Sequence, residues 1–423
     1  MAATPDVLAS AAVLLDQATG PLGFVAAVPS GASAFADHYG ELWGRDAAVT
    51  SLALVATGDA HWHAGIRRSL ATLAAHATSA GQIPGLVRSD GWVDAGEHAA
   101  VDPTAWWCVA ALSALRAGVP GIDELAPAVT DALTWLRGLD VGRTGLVNSP
   151  GASDWMDAAV QRTGITLHAN ALFLWALRLA ETRGLPTGPG PDAAHVANSL
   201  DIVLWPSETP DPGAALWVDP HPQGGTRLDP RRGGVGWPHP ATVAALRAAH
   251  DPARRHWASH LRWAHLVDEV DVLGNCLAVL AGLGNVTQRQ AVVDGLEAAG
   301  VAFPHPSRTL VRPVEAGGAD LMLDATADAW QDPRWRNAAW EYHNGGAWPM
   351  VGGFHAAAVA AVHGPDAARD LAGDVATACI EDGVATFPEW RDGLTGAAGG
   401  ARGQTWSAAA VLLADAVVRG KAA

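Results

Sequence analysis

The run Asn170-Ala171-Leu172-Phe173-Leu174-Trp175-Ala176-Leu177-Arg178-Leu179-Ala180-Glu181 sets the fold class. Leu172, Trp175, Ala176 and Leu179 recur at helical spacing and fall on one face. Similar periodicity marks residues 5–18, 47–57, 64–79, 104–116, 124–137, 193–203, 241–249, 253–266, 275–283, 287–299, 353–362, 366–380 and 404–419. Extended segments are scarce, with short candidates at 216–218 and 310–314. Most of the helices are short and end in Gly- or Pro-rich connectors, so the chain reads as helical hairpins. No break in composition divides it. The Gly/Pro-rich stretch 205–240 reads as a long connection inside one domain covering 1–423.

Composition narrows the function. The 423 residues are 49% hydrophobic and 17% charged, with 43 acids against 27 bases and a formal charge of −16. That balance argues against nucleic acid or an anionic membrane as partner. No apolar run is long enough to span a bilayer. The N-terminal stretch carries Asp6 and Asp16 and no basic start, so no secretory leader is expected, and the expected location is the cytoplasm. Cys108, Cys276 and Cys379 are far apart in sequence and form neither a disulfide framework nor a zinc cluster. His256, His260 and His265 lack the glutamate of a zinc-protease helix, and Gly233-Gly234-Val235-Gly236 lacks the spacing of a phosphate loop. Lys421 is the only lysine, which excludes an internal Schiff base. Neither a metal nor another cofactor is expected, and the partner implied is a small molecule. Self-association into a homo-oligomer stays open.

Polar clusters recur just ahead of helices. Trp43-Gly44-Arg45-Asp46 precedes the helix at 47, and Asp102-Pro103 caps the one at 104. Ser153-Asp154-Trp155-Met156-Asp157 precedes the helix near 166, and Gly236-Trp237-Pro238-His239 the one at 241. Glu341 to Pro349 precedes the helix near 353, and Glu389 lies in the loop before 404. In an antiparallel array alternate helices start at the same end, so six such clusters gather round one mouth. This is the layout of an all-α (α/α)6 toroid.

The chemistry of the clusters is that of sugar recognition. Glu341-Tyr342-His343-Asn344-Gly345-Gly346-Ala347-Trp348-Pro349 packs an acid, a phenol, an imidazole, an amide and an indole around two glycines. The chain holds 19 Trp against 2 Tyr and 6 Phe, and indole rings stack on pyranose faces while their N–H still donates. Glu389, between Phe387 and Trp390, suits a general acid or base in a partly dry cleft. Glycoside hydrolysis needs two carboxyl groups; Asp157 and Glu389 are the candidate pair, with Asp154 a rival to Asp157 three residues away. Arg45 is expected to hold Asp46 for a bidentate grip on the sugar.

These motifs resemble the alkaline/neutral invertases, a family of (α/α)6-barrel inverting glycoside hydrolases. The resemblance rests on Tyr342 to Pro349, on Pro388-Glu389-Trp390 and on Gln404-Thr405-Trp406-Ser407. It extends to Gly274 to Leu280, to Arg45-Asp46, and to Val101-Asp102 with Trp106-Trp107. Trp155-Met156-Asp157-Ala158 is closer to the glucosidase half of glycogen debranching enzymes. The resemblance implies Asp157 as general acid and Glu389 as general base. The candidate sugar contacts are Trp43, Arg45, Asp46, Asp102, Trp107, Asp154, Trp155, His343, Asn344, Trp348, Gln404 and Trp406. The expected activity is exo-acting inverting hydrolysis of an α-glucoside, sucrose first. Alternatives are an α-1,6-glucosidase, a hydrolase of a small glucosyl osmolyte, a sugar isomerase or epimerase on the same barrel, and a carbohydrate-binding protein without turnover.

Overall fold

Small side chains let six helices of this chain share one ring. The computed structural model describes residues 6–28, 39–96, 101–151, 153–157, 160, 162–215, 239–262, 264–314 and 337–421. Among them the chain forms thirteen α-helices. Six make the inner ring: α2 (Gly44–Thr57), α4 (Val101–Arg116), α6 (Leu167–Thr182), α9 (Val272–Leu280), α11 (Pro349–His363) and α13 (Thr405–Val418). Each packs on the next, and α13 packs back on α2 to close the circle. Outside them lie α1 (Val7–Gln17), α3 (His63–Ala75), α5 (Ala126–Gly138), α7 (Ala193–Leu204), α10 (Val286–Ala298) and α12 (Arg369–Ala378), each against its inner neighbours. The remaining helix, α8 (Pro240–Ala248), stands outside this alternation.

Sequence separates the two rings. An outer helix buries one stripe, as Ile66, Ser69, Leu70 and Leu73 do in α3, or Val129, Ala132, Leu133 and Leu136 in α5. An inner helix is covered on every side: α2 leaves only Val55 and Thr57 outside its buried set, and α4 only Leu115 and Arg116. Helix α6 is of this kind too, so its apolar surface is wider than the one face read from its periodicity. Close contact demands small residues. A Cβ on Gly353 of α11 would sit 2.8 Å from the Ala410 Cβ and 3.0 Å from its Cα in α13.

The inner helices all begin at one end, and their starts are stitched together by backbone. Gly44 N–H donates to Gly85 O, Val101 N–H to Ser153 O, Leu167 N–H to Ser259 O, Val272 N–H to Thr309 O and Thr405 N–H to Ala26 O. Short antiparallel strands frame the same end. Strand β1 (Leu42–Trp43) pairs with β2 (Leu86–Val87), which pairs with β3 (Val93–Asp94). Strands β4 (Asn148–Ser149), β5 (Gly164–Thr166), β6 (His260–Arg262) and β7 (His265–Val267) form a second sheet in that order. Strand β8 (Ile380–Glu381) pairs with β9 (Val384–Ala385), and β10 (Trp390–Arg391) with β11 (Ala398–Gly399).

Two expectations are corrected. Residues 253–266 are not a helix: they turn into β6 and β7, because β6 pairs with β5 and both backbone groups of Trp257 are held by the Asn275 side chain. The helix after His239 is α8, which is not in the ring; the fourth inner helix starts instead at Val272, capped by Asp271. Of the two expected extended pieces, 216–218 lies outside the described residues, and Leu310 bridges Asp271. We expect Gly353→Val to force α11 away from α13 and to destabilise the fold by about 1–3 kcal/mol, measured by urea unfolding; an unchanged midpoint would contradict this packing.

Candidate active site

Arg45 and Asp46 sit in the first turn of α2, Asp102 in the first turn of α4 and His168 in the first turn of α6. Arg45 joins these starts. Its Nε and Nη2 grip Asp102 Oδ2 and Oδ1 at 2.8 and 3.0 Å, and Nη1 reaches Asp157 Oδ2 at 3.2 Å. Asp102 is fully buried, and His168 Nε2 lies 3.4 Å from its Oδ2. A bidentate pair of this kind fixes direction as well as charge.

Asp154 and Asp157, the two rivals, have separate surroundings. Asp154 is 2% exposed and its Oδ2 meets Arg162 Nη2 at 2.9 Å. Arg162 also pairs with Asp271, the N-cap of α9, so this trio ties the loop before α6 to the ring. Burial pushes the Asp154 carboxyl up, but Arg162, His168 and the Met156 N–H more than offset it and hold it below its ordinary value. The Asp157 side chain is 21% exposed and faces Arg45.

Glu389 is the more enclosed carboxylate, 3% exposed. Oε1 accepts the Tyr39 hydroxyl at 3.1 Å and Oε2 accepts the Ala401 N–H at 2.9 Å. Burial pushes its pKa up to about 7, against the pull of those two donors, and the Asp157 charge adds to the rise. Asp46 is likewise pushed up to about 7, by burial first; Arg45 opposes this and Glu389 reinforces it. Three carboxylates, Asp46, Asp157 and Glu389, thus act on one another in a nearly dry space. Arg45, the cation that bears on Asp46 and Asp157, already carries Asp102. Like charges in such a place retain a proton between them. Glycine permits the enclosure: at Gly400, with φ of +68°, a Cβ would fall 2.2 Å from Glu389 Oε2.

Aromatic rings complete the mouth. His343 stacks on Trp348 at 5.4 Å and meets the edge of Trp155 at 5.2 Å. Trp348 also packs against Trp155 and Trp406, at 5.4 and 5.7 Å. Trp43, the residue before α2, lies 6.1 Å from the Tyr39 ring. His343 is held neutral, its pKa well below the usual range through burial and then the Arg45 charge. Several buried polar atoms here meet no hydrogen-bond partner among the described residues: Trp155 Nε1, Trp406 Nε1, Trp390 Nε1, His343 Nδ1 and both amide atoms of Gln404. Buried donors and acceptors left in this state are costly unless a ligand satisfies them.

Two expected sugar contacts are corrected. Trp107 is fully buried and donates to Leu70 O at 3.0 Å, so it is core between α4 and α3. Asn344 spends its amide on backbone: Oδ1 accepts Val314 N–H at 2.6 Å, and Nδ2 donates to Val314 O and Asn337 O, each at 3.0 Å. Asn170 clamps Val147, and Asn275 clamps Trp257, by the same peptide-like pairing. Conversely, Tyr39, His168, Arg162 and Asp271 were not singled out from sequence. Only Tyr39 offered a signal, as one of two tyrosines in a tryptophan-rich chain.

Over residues 258–420 the chain matches the family described as alkaline and neutral invertase. That is a glycoside hydrolase family. The match includes His343, Trp348, Glu389 and Gln404, while Arg45, Asp46, Asp102 and Asp157 lie ahead of it and join them through the fold. Probable alkaline/neutral invertase F of Arabidopsis thaliana is 31% identical over 153 residues, 34% of this chain and 27% of that protein. Cytosolic invertase 1 of Oryza sativa subsp. japonica is 30% identical over 34% of this chain and 24% of its own length. The chain thus matches about a quarter of the length of these curated invertase relatives. Among solved structures, GH63 mannosylglycerate hydrolase from Thermus thermophilus, in complex with Tris and D-glycerate, superposes with a TM-score of 0.59 at 15% identity. The superposition covers 96% of this chain and 99% of that one. A bacterial glucoamylase complexed with acarbose gives 0.58 at 12% identity, over 99% of this chain and 56% of its own. These structures share the fold, the (α/α)6 six-hairpin toroid.

Asp102 carries Arg45, so removing it leaves a buried guanidinium with half its partners gone. Asp102→Ala is expected to cost about 3–5 kcal/mol of stability in a urea titration; a loss within 0.5 kcal/mol, the surface-substitution range of roughly ±0.5, would show that the pair does not hold the ring together.

Proposed function

We propose that this protein is an inverting, exo-acting glycoside hydrolase that cleaves an α-glucoside, with Asp157 as general acid and Glu389 as general base. The observation that carries the reading is the pairing at one mouth of a two-donor buried carboxylate, Glu389, with the more exposed Asp157. Around them lie buried polar atoms without protein partners. In an inverting site the acid protonates the departing glycosidic oxygen, and the base takes a proton from the water that attacks the anomeric carbon on the opposite face. Here Arg45 directs Asp157, and Glu389 is kept close to neutral titration, where a carboxylate is a usefully strong base.

The terminal ring would be gripped by Arg45, Asp46, His343 and Gln404, with Trp155, Trp348 and Trp406 against its apolar face. Trp43 reaches the rim. Asp102 and Asp154 serve the site from behind, through Arg45 and Arg162. An isomerase would need His343 as a mobile proton carrier, whereas its ring is wedged between Trp348 and Trp155. Sucrose is the first candidate substrate, from the names of the plant relatives; α-1,6-glucosides and small glucosylated osmolytes belong in the same panel. Among the described residues no helix is long and apolar enough to cross a membrane, and a cytoplasmic location accompanies the proposal.

The test is glucose release from that panel by wild type, Asp157→Asn and Glu389→Gln. Each variant should lose roughly 10²–10⁴-fold in kcat on the best substrate, the usual worth of a general acid or base. Wild-type turnover in either variant would remove that residue from its role, and no glucose release by wild type from any member would overturn the assignment to α-glucosides.

A further inference from the structure

The two tyrosines of this chain, Tyr39 and Tyr342, meet at Glu389. Tyr39 is 350 residues away in sequence, yet its hydroxyl donates to Glu389 Oε1 at 3.1 Å. The Tyr342 phenol lies close enough to Tyr39 and Glu389 to act on both electrostatically. Tyr342 is tightly held: its ring lies 4.1 Å from His343, 5.2 Å from Trp348 and 6.2 Å from Trp390. Its backbone adopts φ of +43°, a left-handed conformation that a non-glycine residue keeps only when its surroundings enforce it. The Tyr342 carbonyl accepts the Trp348 Nε1–H at 3.0 Å, which is one such constraint.

We propose that Tyr39 is a positioning residue for the water-activating carboxylate, its hydroxyl donating to Glu389 and its ring set beside the tightly held Tyr342. The proposal rests on the reading of Glu389 as general base. A base must be ionised to work, and burial opposes ionisation. One donor on each oxygen, Tyr39 on Oε1 and Ala401 N–H on Oε2, stabilises the anion and fixes the carboxylate plane. The choice of a phenol over a cation matters. Asp154, gripped by Arg162, is held below its ordinary range after burial is offset, and would make a feeble base. A neutral donor offsets only part of the burial and leaves Glu389 near 7. Burial pushes both phenols well above their ordinary value, so they remain protonated donors over the working range. The other charged or titratable groups bearing on this cluster are Asp46 from α2, Asp157 from the loop before α6, and Arg45 and Arg402.

Tyr39→Phe keeps the ring against Trp43 and removes only the hydroxyl. With one donor lost, the Glu389 proton is held more tightly, so the acidic limb of the kcat/KM profile should move to higher pH by about one to two units. Activity near neutral pH should fall roughly ten- to hundredfold and recover in alkaline solution, with KM little changed. Tyr39→Leu removes the same donor and should move the limb in the same direction, and it carries the test if Tyr39→Phe does not fold. A packing role would instead lower activity equally at all pH, and an unmoved limb in the folded variants overturns the proposal. Glu389→Gln separates the two claims. If it stays active, the base assignment fails and the tyrosine role falls with it; if it is inactive while the limb is unmoved, only the tyrosine role is wrong.

Discussion

A ring of six helices that all start at one end concentrates the unsatisfied N–H groups of six helix termini on one small area. Those termini carry partial positive charge. The structure answers with acids: Asp46 and Asp102 in first turns, and Asp271 as an N-cap. Closure also requires contact so tight that glycine and alanine face each other, as at Gly353 and Ala410. The composition of the chain and the acidity of its mouth therefore have one origin.

Within that mouth the acids fall into two groups by partner. Asp102, Asp154 and Asp271 are matched to Arg45 and Arg162 and act as struts between helix starts. Asp46 and Glu389 have no such cation to themselves and are pushed towards neutral titration. The struts make the second group tolerable, because a ring tied by buried ion pairs can carry carboxylates that burial alone would oppose. Reactivity and rigidity are divided between neighbouring residues of the same type.

The toroid was legible in sequence because helical periodicity and polar clusters before helices are local signals. What failed was non-local. Residues 253–266 have helical spacing, but pairing with β5 and the Asn275 clamp override it. That error also displaced the fourth inner helix from Val272 to 241. Asn344 sits in the most sugar-like motif of the chain, yet its amide is consumed by Val314, a partner 30 residues earlier that no spacing rule reveals. Arg162 and His168 become visible only when their acids are folded onto them. The candidate carboxylates were legible as types in aromatic surroundings; that Asp154 is a strut bound to Arg162 was not.

The central claim is that Asp157 and Glu389 act from opposite faces of the sugar, one on the departing oxygen and one on water. Proton NMR of the anomeric signals during the first turnovers on the best α-glucoside tests it most directly. The account predicts that β-glucose appears first and equilibrates to the α form afterwards. If α-glucose appears first, configuration is retained, and Glu389 cannot be the residue that activates water.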